Sequence, residues 1–292
     1  MAATLLAVWL VKAFLVTSCF IPSSGMENSL YQGEGVLVNK WSYGGRVPFA
    51  SLWGYHRLGG CRVQKGDFVV FNNPGPQACQ VSPEWREVFI GRCIGCPGDT
   101  LMLNAEGIST GSKVFSPDSK ALYAYPSSQE DLMQEILLAT GIPNNDLISY
   151  TANGEYIRSF SHYELYLVKQ KGGSVLTIAP LDSKLPQDTH PYVIPRKGLS
   201  VKVYPWNAVL LCNTILCHEK KKAYVENDTL YVDGKLVSEY VFERNYFWMV
   251  SNDLVNLSDS RLFGFVPEVC VIGKAWRIWL PSRKERFFQL VQ

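Results

Sequence analysis

Short runs in which apolar residues crowd together or alternate, separated by Gly, Pro, Asn and Asp, dominate this chain, and such spacing predicts strands more often than helices. Val36-Leu37-Val38 is one such run. Asp67 to Asn72 is a second, introduced by the turn Lys65-Gly66 and closed by Asn72-Asn73-Pro74-Gly75-Pro76, with Phe68 to Phe71 expected in the core. Glu87 to Ile94 reads as a strand entering a tight turn at Gly95 to Asp99, and Thr100 to Leu103 leaves it. Further on, Val201 to Tyr204, Ala223 to Val225 and Phe247 to Val250 read as strands, and Thr229 to Val232 turns at Asp233-Gly234 into Lys235-Leu236-Val237 as a hairpin. One amphipathic helix is predicted, Ser128 to Thr140. Ser127 or Ser128 is the candidate cap, Glu130 and Asp131 complement the helix dipole, and Leu132, Ile136 and Leu137 share a face. The fold class expected is mostly β with few helices.

Residues 2 to 21 are almost wholly apolar, the length that about 20 residues need to cross a bilayer, but Lys12 stands near the middle. Two readings stay open. The stretch is a membrane segment interrupted by Lys12, or it is a cleavable export signal in which Val16-Thr17-Ser18-Cys19 resembles a lipoprotein processing site.

Composition narrows the chemistry. With 292 residues, 47% of them hydrophobic, the chain can bury a large core in one or two domains. A net charge of +2, from 28 basic and 26 acidic residues, gives no nucleic-acid footprint. Four scattered histidines make no zinc-protease spacing, so neither a metal nor a cofactor is indicated. Eight cysteines are too few for a disulfide scaffold; Cys93-x-x-Cys96 lacks a matching second pair, and Cys212 and Cys217, flanking an expected strand turn, could pair in an oxidising compartment, though connectivity is not readable from sequence.

Three segments carry a resemblance. Ile21-Pro22-Ser23-Ser24-Gly25-Met26, then Phe89-Ile90-Gly91-Arg92-Cys93-Ile94-Gly95-Cys96-Pro97-Gly98-Asp99, then Ser251 to Pro267 with Ile272-Gly273-Lys274-Ala275, together resemble bacterial signal peptidase I. That family consists of membrane-anchored endopeptidases that remove signal peptides from exported proteins with a serine and a lysine. The resemblance implies a signal-peptidase-like β domain over residues 12–103 plus 244–280, an inserted domain over 105–243, an N-terminal membrane segment with first strand over 1–21, and a tail over 281–292. It implies signal peptides and a membrane as partners, with the soluble part on the extracytoplasmic side of the bacterial inner membrane.

The same resemblance places the serine nucleophile at Gly25 and the lysine at Gly91, so both dyad side chains are absent. The serine that orients the lysine falls at Leu257. Ser23 matches a hydroxyl that helps to bind the oxyanion, though a turn residue after Pro22 has the same identity, and Met26 matches the methionine beneath the substrate. Asp259 and Arg261 match a supporting salt bridge. Serine attacks only when a base takes its proton, and lysine is a base only when burial lowers its pKa. Arg92 cannot replace it, because a guanidinium stays charged.

Three functions follow. Ser24 is a displaced nucleophile served by another base; or the groove edged by Met26 to Val38 holds a peptide by strand addition without cutting it; or the chain assembles with an active signal peptidase. A lysine within reach of Ser24 is what discriminates among them.

Overall fold

The structure is a computed structural model that describes Thr4, Lys12 and residues 14–47, 54–59, 62–103, 119–142, 145–181, 189–253 and 258–291. Its centre is a curled seven-stranded sheet. The strands are β1 (Val16–Phe20), β2 (Gly35–Asn39), β3 (Phe68–Asn72), β4 (Val88–Gly95), β5 (Tyr246–Val250), β6 (Val266–Pro267) and β7 (Val271–Leu280), in the spatial order β1-β2-β7-β3-β4-β5-β6. The neighbours pair antiparallel. The sheet thus draws strands from both ends of the sequence, and β7 lies between β2 and β3.

Burial follows the pleat. Every residue of β3 is buried, because both faces of the sheet are covered and the strand needs no polar side. On one face Phe68, Val70 and Ile90 pack with Ile21, Met26, Leu30, Val36 and Val38. On the other, Val69, Phe71 and Cys93 pack with Phe247, Met249 and Val266.

Between β4 and β5 the chain builds two further layers. Strands Lys120–Pro126 and Glu155–Ser161 pair along their whole length, and helices α1 (Glu130–Thr140) and α2 (His162–Gly172) close a separate core of Tyr125, Met133, Ile136, Phe160 and Val168 against them. Residues after Ile194 instead share a core with the main sheet, where helix α3 (Ala208–His218) and the hairpin strands bury Leu211, Ile215 and Leu230 against Trp248, Val250 and Phe265.

Several local expectations change. Gln129, not Ser127 or Ser128, precedes α1, and no side chain caps it. Pro126 ends the preceding strand, and a 3-10 turn at Ser127–Gln129 absorbs both serines. The buried face of α1 centres on Met133, Ile136 and Leu137, and Leu132 sits at its edge. Cys212 and Cys217 lie on α3 and flank no strand turn; both are free, as are all the described cysteines. The expected hairpin at Asp233-Gly234 forms with both central residues at positive φ, +50° and +78°, the geometry that matches strand twist. No helix among the described residues is long and apolar enough to cross a membrane, and most of the stretch 1–13 lies outside those residues.

Candidate functional site

The segment after β1 turns sharply. Ser24–Met26 is a single 3-10 turn, and Ser23 stands at its start, where its side-chain oxygen accepts the Gly25 N–H at 3.5 Å. Ser23 therefore serves the turn, and its own hydroxyl proton stays available for donation. Gly25 is buried, and Met26, 2% exposed, is driven into the core of the sheet among Ile90, Phe68 and Leu30.

What holds this turn comes from the far end of the chain. The Asp253 N–H donates to the Gly25 carbonyl at 3.0 Å, and the Asn252 amide donates to the Glu27 carbonyl at 3.0 Å and to Ser29 Oγ at 2.7 Å. Arg286 donates to the Ser29 carbonyl at 2.7 Å and pairs with the buried carboxylate of Glu34 at 2.9 Å. Burial alone would push the Glu34 carboxyl up; hydrogen bonds from Arg286, Tyr31 and Ser282 outweigh it and leave the group below the ordinary carboxylate value.

Gly91 sits in β4, opposite Val69. A Cβ there would lie 3.3 Å from the Val250 carbonyl, 3.4 Å from Met249 Cβ and 3.5 Å from Phe71 Cε1. A side chain at this position enters an apolar slot beside the same 250–253 segment that holds Gly25. Arg92, its neighbour, lies over the Phe68 ring with its carbon 4.1 Å from the centroid.

Asp259 and Arg261 brace that segment. Asp259 is fully buried; it accepts the N–H and the hydroxyl of Ser251, each at 2.7 Å, and caps the short helix α4 (Ser260–Phe263) through the Arg261 N–H at 2.9 Å. The Arg261 guanidinium pairs with the Asp259 carboxylate and donates to the carbonyls of Ser251 and Asp253 at 3.1 and 3.2 Å. Leu257 lies outside the described residues.

A cavity of about 850 Å³ opens beside the turn, with Ser24, Glu27, Lys120, Glu164, Asp253 and Arg283 in its wall. Sequence reasoning missed Lys120, which no local motif marks. Its backbone N–H donates to the Asn252 carbonyl at 2.7 Å, and its side chain, 3% exposed, places Nζ 2.6 Å from Glu27 Oε2 and 3.9 Å from Glu164 Oε1. Glu164 was missed too, although Ser161-x-x-Glu164, which closes a capping box at the start of α2, is a signal that could have marked it. Burial alone would lower the Lys120 amine; the charges of Glu164, Glu27 and Asp253 outweigh it and hold the amine above the ordinary lysine value. The lysine in the Ser24 cavity is thus a cation with its protons engaged, which is the opposite of what a base requires.

The two cysteines of Cys93-x-x-Cys96 lie with their sulfurs 3.9 Å apart and unlinked. No group of three or more metal-ligating side chains occurs among the described residues.

The turn at Ser24–Met26 is braced from the C-terminal part of the chain, and the chain belongs to the signal peptidase family, peptidase S26, whose model matches residues 1–159. Signal peptidase I of Helicobacter pylori strain J99 is 23% identical over 94% of this chain and 79% of its own length. The enzyme of the same name from Haemophilus influenzae is 24% identical over 96% of this chain and 68% of its own, and that of Aquifex aeolicus 24% over 96% and 81%. Signal-peptide processing is therefore the activity of the family to which this chain belongs.

Proposed function

We propose that this member of the family binds an extended signal-type peptide at the Ser23–Met26 turn and does not cut it, attached to a membrane by the segment ahead of Lys12 with the sheet on the extracytoplasmic side. The observation that carries the reading is the state of Lys120. With glycine at 25 and 91, catalysis would need Ser24 and a neutral amine, and Lys120, the lysine that lines the same cavity as Ser24, is held charged by Glu27 and Glu164. The brace of Asp259 and Arg261 supports retention of the groove, since it fixes the backbone that carries Gly25 whether or not a nucleophile is present. In the same proposal residues 12–103 and 244–280 form the family's β unit and 105–243 its insertion.

The rival reading, cleavage by Ser24, draws on one observation: Ser24 and Lys120 line one cavity. A single experiment separates the two. Purified full-length protein in detergent is mixed with a fluorescently labelled signal peptide, and binding and cleavage are read in parallel. Saturable binding without product is expected. Product formation that Ser24→Ala abolishes would establish the rival.

A further inference from the structure

The motif Cys93-x-x-Cys96 has no part in the turn at Gly25 or in the wall of the cavity beside it. Along a regular strand, side chains three positions apart point to opposite faces. Trp248 of β5, however, pairs with Gly95 and Met249 with Cys93, so Ile94 is an extra residue on β4, a β-bulge. The bulge shifts the alternation by one and returns Cys96 to the Cys93 side, where both pack on the cluster of Val69, Phe71 and Met249. Their sulfurs come to 3.9 Å, against about 2.05 Å in a disulfide.

The two thiols are not equivalent. Cys93 is fully buried, and Cys96 is half-buried at the first position of the tight turn 96–99. Asp99 clamps that turn: its carboxylate accepts the Cys96 N–H at 2.7 Å, its own N–H donates to the Cys96 carbonyl at 3.0 Å, and Lys65 Nζ lies 3.1 Å from the same carboxylate. The Cys96 thiol donates to the Val63 carbonyl at 3.4 Å. The hydrogen bond between the sulfurs, with burial, pushes the Cys93 thiol up. The same bond, helped by Lys65, holds the Cys96 thiol below its ordinary value against burial and Asp99. The thiolate is the attacking form, so the sulfur that solvent reaches is also the more reactive one.

We infer that Cys93 and Cys96 form a redox-active dithiol that closes to a disulfide by exchange with a small disulfide such as oxidised glutathione, Cys96 attacking first and Cys93 resolving. Cys96 Sγ bonds to one glutathione sulfur, and the other glutathione leaves as its thiolate. Cys93 Sγ then bonds to Cys96 Sγ and expels the bound glutathione. The protein is oxidised, the glutathione disulfide is reduced, and the two cysteine protons end on the two released glutathiones. Closure withdraws Cys96 Sγ from the Val63 carbonyl and cross-links β4 across its bulge, two residues beyond Gly91. The site does not rest on the peptide-binding reading, because both sulfurs belong to the core on the sheet face opposite Met26.

The test equilibrates reduced full-length protein, folded in detergent, with glutathione buffers of rising oxidised-to-reduced ratio. Each sample is quenched in acid, its free thiols are labelled with N-ethylmaleimide in denaturant, and it is digested with trypsin. Cleavage after Arg92 and Lys113 releases both cysteines on one peptide, 93–113, whose mass reports how many thiols were free. The peptide is expected to lose both labels together as the ratio rises and to regain them in excess reduced glutathione. In Cys93→Ala it carries glutathione on Cys96 instead, and in Cys96→Ala glutathione enters at least about tenfold more slowly, because the buried Cys93 is neither reachable nor a thiolate. Cys93→Ser replaces Cys93→Ala should the latter fail to fold, and the loss of both labels in the parent is read without either variant. Both labels retained at every ratio, linkage of either cysteine to a different peptide, or equal rates of glutathione entry in the two variants would overturn the inference.

Discussion

Replacing Asp259 by Asn tests whether the brace behind the turn carries the stability that its burial implies. Asp259 accepts bonds on both oxygens, two from Ser251 and the rest from Arg261. Asparagine keeps one oxygen and presents an NH2 where a second acceptor stood, so a donor meets a donor. The Arg261 side chain, 5% exposed, then loses its counterion. Removing one partner of a buried pair costs about 3 to 5 kcal/mol, and the lower end applies here because Arg261 still donates to two carbonyls. A chain of this size loses about 2 to 4 °C per kcal/mol, so a drop of roughly 6 to 12 °C is expected. Calorimetry at one scan rate measures it. The second variant, Asp259→Asn with Arg261→Met, removes the stranded charge and is expected to recover part of the loss. A melting temperature within about 2 °C of the parent for Asp259→Asn would refute the argument, since no buried ion pair loses a partner at so small a cost.

Three further outcomes are expected. Gly25→Ser with Gly91→Lys gives at most weak cleavage of a signal peptide, because the apolar slot of Phe71 and Met249 lowers the new amine as a base requires but leucine at 257 offers it no orienting hydroxyl; adding Leu257→Ser raises the rate, and full turnover by the double variant alone would contradict this. Burial, with repulsion from Arg86 and Arg244, lowers the His218 imidazole to about 3, so the unfolded chain takes up a proton below the ordinary value of 6.5 that the folded chain refuses, and stability falls as pH drops from 6.5 toward 3. His218→Asn flattens that part of the pH profile, and parallel profiles would exclude His218 as the cause. Lys120→Met, measured by the same peptide-binding titration, weakens binding, because Glu27 and Glu164 are left facing each other without the cation that ties the turn to α2; unchanged affinity would remove Lys120 from the groove's architecture.

Strands β2, β3, β4 and β5 were legible because each short apolar run ended in residues that turn the chain, as Phe68–Asn72 does before Pro74, whereas β7 (Val271–Leu280), which lies between β2 and β3, was not read as a strand. The hairpin at Asp233-Gly234 was legible from two residues alone. Helix α3 was not, because Ala208–His218 is apolar nearly all round and its 3.6 period is drowned by Val209, Leu210 and Leu216, which face outward or half outward. The turn Ser23–Met26 was found by resemblance, but its chemistry was not, since Lys120 stands 93 positions from the carboxylate that neutralises it and no local pattern links them. Pairings across such distances are decided by the packed core, not by any window of sequence.

The bonds that fix the turn at Gly25 to Ser29 have a consequence in time. The Met26 carbonyl waits for Asn252, 226 residues later, and the Ser29 carbonyl for Arg286, 257 residues later. Contacts that span so much chain close late, after the entropy of the intervening loop has been met. As the chain emerges from the ribosome, the turn is among the first segments made and among the last to take its shape. If the turn binds a peptide as proposed, that capacity arises only once the strands that brace it exist, and a nascent chain still short of β5 lacks it.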